Sequence, residues 1–358
     1  MIRRAALAIS ASILAASPAG AEPSADVAAA VEARANKAGF DGAILIGQPD
    51  GSQQVLTLGS RPVDARATWR WASITKQLAA VIAFQEVAAG RLDLDAPVSR
   101  YWPDWRAPNA ATIRIRDLFN HNSGLPQPDE SMPDADGVPA FYRSAAASPA
   151  DSAAGFCAGP AKAKPPAKFD YNNCDTIVLA EVLARVTGKT FPELLEERLS
   201  GPLGLTSVGM FAFGQKPVGH VLPIGEYRDV DALLNLGVNG ASAGAYGTVQ
   251  DLWRFDHALL RGKLVPKAQL DQMWTASESN GFLNAFQWTY PAPLTGCASP
   301  VKIVERQGLV GGIELRNYLL PETGRALIMF SRKRPTNLGD PWEGKGFAFD
   351  LLSAVACR

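Results

Sequence analysis

Histidine and cysteine are scarce in this chain: three and four of 358 residues. With only His121, His220 and His257 available, a Ser-His-Asp triad is an unattractive reading. His121 reads as a turn residue and His257 as part of a helix, both structural or exposed. The cysteines are Cys157, Cys174, Cys297 and Cys357. They have no C-x-x-C spacing and no histidine nearby, which argues against zinc. An excess of one charge is also missing. Lysine plus arginine equals aspartate plus glutamate, 35 each, so neither nucleic acid nor an anionic membrane surface is indicated as a partner. Long apolar runs are absent too. The best candidate, Ala5 to Ala16, is too short to span a bilayer as a stable helix. No internal repeat is found.

What is present starts with that same run. Arg3 and Arg4 precede it and Ala19-Gly20-Ala21 follows it. This reads as a secretory signal cut after about Ala21, giving a periplasmic or secreted product. The alternative, an amphipathic helix of the mature fold, has no polar face. Export permits disulfides, and four cysteines allow three pairings. Sequence proximity favours Cys157–Cys174, which leaves Cys297–Cys357.

At 47% hydrophobic the chain can bury a sizeable core. Two apolar runs around Pro49-Asp50-Gly51 predict a hairpin over 40–59. Ile313 to Leu320 and Arg325 to Phe330 predict another. The region between is mainly helical in pattern, interrupted by a stretch at 126–168 rich in proline, alanine, serine and glycine. Terminal strands that pair would give an α+β (α/β sandwich) domain: an antiparallel sheet from both chain ends, flanked by helices, with an inserted helical lobe. We expect one domain over 22–358, its sheet part at about 22–66 and 230–358 and its helical part at about 67–229.

Chemistry enters with Ser73-Ile74-Thr75-Lys76 at the head of an almost wholly apolar helix. Residues i and i+3 share a helix face, so Lys76 can reach Ser73. A serine hydroxyl becomes a useful nucleophile once a neighbour holds its proton. The tetrapeptide recurs at Ser299-Pro300-Val301-Lys302, where a proline follows the serine and a strand follows the proline. Tyr171-Asn172-Asn173 is the one Y-x-N in the chain and leads directly into a helix. A tyrosine beside an ammonium can titrate low enough to take a proton from serine.

Together these motifs resemble the serine β-lactamase and penicillin-binding protein superfamily, and its class C β-lactamase-like branch most of all. The D-G-A-I-L-I-G, I-R-D-L-F-N-H-N-S-G-L and G-A-S-A-G-A-Y-G-T-V-Q-D-L-W-R-F segments add to the likeness, over about residues 38 to 332. The resemblance implies Ser73 as the acylated nucleophile and Lys76 as the residue that shares its proton. It implies Tyr171 as general base, and Asn173 as the side chain that holds Lys76 and the substrate's acyl amide. The counterpart of the family's third motif is Arg306-Gln307-Gly308, an altered version. Arg306 is expected to bind a substrate carboxylate with its two-pronged guanidinium. The alternative is a surface arginine paired with Glu305 or Glu314. The N–H groups of Ser73 and Leu309 would form the oxyanion hole. No metal or organic cofactor is implied.

The function expected is therefore an exported serine hydrolase acting on an ester or amide bond of a small molecule or peptide. A carboxylester or small amide comes first. A β-lactamase or D,D-peptidase acting on peptidoglycan peptides is the alternative within the class. The rival from another class is a protein that binds a cell-wall fragment or peptide without turning it over.

Overall fold

A computed structural model describes residues 25–143, 148–216, 218–225, 233–333 and 337–357. The expected signal segment lies outside the described residues. Pro49-Asp50-Gly51 turns the chain so that β1 (Gly42–Gly47) pairs antiparallel with β2 (Gln53–Leu58). The second expected hairpin lies late in the chain, where β9 (Ile313–Leu320) pairs with β10 (Arg325–Ser331). β10 also pairs with β1, with Gly42 opposite Ser331, so strands from both ends of the sequence join in one sheet. Beyond β9 lie β8 (Val301–Val310), β7 (Gln287–Ala292) and β6 (Leu283–Asn284). The order is β2-β1-β10-β9-β8-β7-β6. A smaller sheet combines β3 (Trp69–Arg70), β4 (Gly209–Met210) and β5 (Ala245–Gly247) in the order β3-β5-β4.

Both faces of the large sheet are covered, which is why β1 reads as a continuous apolar run. Ala43, Leu45, Ala326, Ile328 and Phe330 face the core that holds helix α2 (Thr75–Ala88). Ile44, Ile46, Leu327 and Met329 face a second core, covered by the first and last described helices, Ala25–Lys37 and Phe347–Val355. Alternate residues of one strand therefore serve two cores.

α2 is apolar nearly all round because it is enclosed nearly all round. Leu78, Ala79, Val81 and Ile82 are all fully buried. The helix Asn173–Thr187 packs beside it. Its first turn is capped by Asn172, whose Oδ1 accepts the Cys174 N–H at 2.8 Å, and it stops at Gly188, φ 73°. Asn172 thus fixes where the helix begins, and so where Tyr171 and Asn173 point.

Both disulfides favoured by proximity are formed, Cys157–Cys174 and Cys297–Cys357. The first ties the 126–168 stretch to the helix that starts at Asn173. Among its described residues the helices of that stretch are short turns, Pro128–Glu130, Ala140–Arg143, Pro149–Ala154 and Phe156–Ala158. No helix among the described residues is long and apolar enough to cross a membrane.

Candidate active site

The turn before α2 is held from outside. Trp71 donates its indole N–H to Gly247 O at 3.1 Å and its backbone N–H to Ala245 O at 2.9 Å. Ala72 then adopts φ 47°, a left-handed conformation that costs an L-residue about 1–2 kcal/mol. Thr75 locks the bend: its hydroxyl donates to Ala72 O (2.6 Å) and accepts from the Ala245 N–H (3.0 Å). Strand β5 therefore dictates the path that delivers Ser73. Strain held by such a frame is common at sites of chemistry.

Four of the residues expected from the sequence meet there. Ser73 Oγ lies 2.7 Å from Tyr171 Oη. Lys76 Nζ donates to Ser73 Oγ (3.1 Å), Asn173 Oδ1 (2.7 Å) and the Ser242 carbonyl (2.7 Å). An ammonium has three N–H donors and no acceptor, so all three are used. Ser73 Oγ accepts from Lys76, and either oxygen of the Ser73–Tyr171 pair can donate the hydrogen they share. Tyr171 Oη accepts from Arg306 Nη2 at 2.7 Å. A phenol oxygen that receives a hydrogen bond from a cation and lies against a serine hydroxyl is placed to accept that hydroxyl's proton.

The electrostatics run the same way. Burial pushes the Tyr171 hydroxyl up, but Arg306 and Lys76 outweigh it and hold the pKa below the ordinary tyrosine value. Burial lowers Lys76 to about 8, with the Arg306 charge adding to the drop.

Arg306 is where the structure revises the expectation. It is not the surface residue of the alternative reading, and three of its five N–H donors are committed to the protein. It is 2% exposed. Nε donates to Ser73 O (2.8 Å), Nη1 to Phe286 O (2.7 Å) and Nη2 to Tyr171 Oη. Every nitrogen is engaged by the protein, and Trp288 covers the guanidinium at 5.0 Å. Glu305, the expected surface partner, instead takes Arg316 Nη1 (2.9 Å) and the Tyr290 hydroxyl (2.5 Å). Gly308 permits close approach of β8 to the turn that bears Ser73: a Cβ there would lie 2.8 Å from Trp71 O. Leu309 follows, half-exposed beside Ser73 in the cleft wall.

The sequence reading passed over several participants, and its premise that the chain has no nucleophile-elbow pattern is wrong. Gly240-Ala241-Ser242-Ala243-Gly244 spells G-x-S-x-G, the nucleophile-elbow pattern. Ser242 is buried, however, its hydroxyl donates to Asn239 O at 2.7 Å, and its carbonyl is the acceptor for Lys76. The pattern here builds a lysine-binding turn. Gln127 and Tyr142, from the 126–168 stretch, were unmarked by any motif. Gln127 accepts the Asn173 N–H (3.0 Å) and donates to Tyr171 O (2.8 Å). Tyr142 Oη accepts from Asn173 Nδ2 (2.9 Å) and donates to Asp129. His121 is buried, with φ 54°, its Nδ1 2.7 Å from Asp175 and its ring against Tyr171, 4.6 Å between centroids. It supports the Tyr171 loop from behind.

These groups open onto a cleft of about 750 Å³, lined by Ser73, Tyr171, Asn173, Arg306 and Gly308 with Val138, Phe169, Leu234, Trp288 and Leu309. It is mostly apolar with a few convergent polar groups, as small-molecule sites are.

Comparison with known proteins agrees with this architecture. The family model described as Beta-lactamase matches residues 27–342. A Bacillus subtilis protein that bears the name penicillin-binding protein PbpX is 26% identical over 268 residues, 72% of this chain and 60% of its own length. The chain thus spans less than two thirds of that relative's length. The D-alanyl-D-alanine-carboxypeptidase/endopeptidase AmpH of Escherichia coli is 24% identical over 74% of this chain and 71% of its own. The crystal structure of a D-stereospecific amidohydrolase from Streptomyces superposes with a TM-score of 0.73 at 23% identity, over 93% of this chain and 98% of that one. With the family model matched over nearly its whole described length, this chain belongs to the β-lactamase family and has its α+β fold.

Proposed function

We propose that this protein is an exported serine hydrolase that works through an acyl-enzyme on Ser73. The observation that carries the reading is Ser73 Oγ held between Lys76 Nζ at 3.1 Å and Tyr171 Oη at 2.7 Å. Tyr171, ionised, takes the Ser73 proton as Oγ attacks the ester or amide carbonyl. The N–H groups of Ser73 and Leu309 hold the developing oxyanion, each worth about 10²–10³ in rate. Tyr171 then passes the proton to the leaving group. It next removes one from water, which attacks the acyl carbon; the bond to Ser73 Oγ breaks, Tyr171 returns the proton to Oγ, and the acid is freed. Asn173 keeps Lys76 in place and offers its amide to the acyl side of the substrate.

The substrate class follows from Arg306. A guanidinium that is 2% exposed and has three of its five N–H donors committed to Ser73 O, Phe286 O and Tyr171 presents little of itself to a carboxylate. This supports a carboxylester or small amide over a β-lactam or a peptide ending in a carboxylate. The names of PbpX and AmpH keep the penicillin-binding and D,D-peptidase reading as the alternative.

Intact mass after mixing with a penicillin, a cephalosporin and a small activated ester, on wild type and Ser73→Ala, tests the proposal. An adduct or turnover with the ester that vanishes in Ser73→Ala is the expected result. Persistent adducts with the β-lactams would favour the alternative. Ester hydrolysis surviving in Ser73→Ala would sink the mechanism. Silence with all three compounds would favour a binding protein.

A further inference from the structure

The cleft contains one carboxylate and one permanent cation among its described lining residues, Asp129 and Arg306. They are in unequal positions. Arg306 is buried and committed to protein acceptors. Asp129 is exposed and accepts only from neutral donors, the Tyr142 hydroxyl and Gln127 Nε2 at 3.3 Å. The bases nearby are taken. Lys162 is paired with Glu130 and Asp170, and Arg143 with Asp134 and Asp136. Among the described residues no cation pairs with Asp129.

The carboxylate is nevertheless fixed with respect to the chemistry. Its donor Gln127 also holds the Asn173 N–H and the Tyr171 carbonyl. Its donor Tyr142 also holds the Asn173 side chain, which in turn holds Lys76. Asp129 is thus two hydrogen bonds from the amide that faces the acyl side of a substrate. Val138, Pro139, Phe169 and Leu234 give that end of the cleft room for an apolar group. We infer that Asp129 is the subsite for a cationic amine on the acyl portion, so that the preferred substrates are esters or amides of amino-bearing acids with an apolar side chain. This rests on the acyl-enzyme reading above and narrows its substrate.

The test compares the 4-nitroanilides of both phenylalanine enantiomers with 3-phenylpropanoyl 4-nitroanilide, which lacks only the amine, at a pH where the amine is protonated. The better enantiomer should exceed the neutral compound by about tenfold in kcat/KM, and Asp129→Asn should erase most of that ratio, as removal of one charged hydrogen bond does. Asparagine retains an acceptor for Tyr142. A second readout needs no turnover. In Ser73→Ala protein, calorimetry should find phenethylamine bound more tightly than 3-phenylpropanoate, and weaker by about tenfold once Asp129→Asn is added. A neutral anilide cleaved as well as the amine, or a ratio and amine affinity unmoved by Asp129→Asn, would overturn the subsite. Amine binding lost with Asp129→Asn, in a protein whose Ser73 no activated ester labels, would keep the subsite and discard the acyl-enzyme.

Discussion

The two walls of the cleft are built on different terms. The helical wall carries Ser73, Lys76, Tyr171 and Asn173, each on or beside a helix start, and each meets the partner its motif suggests. The strand wall carries Arg306, Gln307, Gly308 and Leu309 on β8. Gly308 there lets the backbone close on Trp71 O. Arg306 does something its residue type did not announce, turning inward to Ser73 O and Tyr171. The difference shows that a charged side chain on a strand lining the cleft can be turned toward the residues across it, here Ser73 and Tyr171. Lys76 and Arg306 then divide the labour. Lys76, lowered to about 8, can still exchange a proton, while Arg306 stays charged throughout the working range.

Experiments can break this contrast at several points. The largest effect after Ser73→Ala belongs to the helical wall. Tyr171→Phe removes the base and should lower kcat/KM by about 10²–10⁴, with KM little changed, by steady-state assay on an activated ester. Arg306→Gln probes the strand wall and should cost about 10² through the lost charge on Tyr171. The pH profile gives the sharper reading. Arg306 lowers both Tyr171 and Lys76, so its loss raises both, and the limb near 8 and its companion should both move alkaline. A profile that stays in place would return Arg306 to a purely structural role. The smallest effect on activity comes from the two disulfides. Replacing Cys157 and Cys174 by alanine should cost about 3 kcal/mol in denaturant unfolding and raise KM, because that bridge holds the stretch bearing Gln127, Asp129 and Tyr142. Replacing Cys297 and Cys357 should cost comparable stability and leave KM alone, since Cys297 packs on the core across the sheet from α2.

The hairpins, the two long helices and the motif serine, lysine and tyrosine were legible because each rests on local rules: turn residues, period, capping and i to i+3 spacing. Thr248 shows the point on a small scale, since it caps the Val249–Leu260 helix by accepting the Asp251 N–H as its position predicts. The same locality explains what was missed. Ser242 carries a nucleophile spelling, but its carbonyl is what matters, and a carbonyl has no residue signature. Tyr142 sits in a stretch with no period at all, and only the Cys157–Cys174 bridge and the packing beneath it bring it to Asn173.

By itself the sequence determined which chemistry was available: a serine and a lysine one turn apart, a tyrosine before a capped helix, and too few histidines for another base. Tertiary structure alone decided what the charges do. Arg306 and Tyr171 are 135 residues apart, and Asp129 gains its bearing on Asn173 through Tyr142 and Gln127. Hydrogen-bond direction and exposure in a cleft are set by which distant segments pack together, and no local pattern in the chain encodes that.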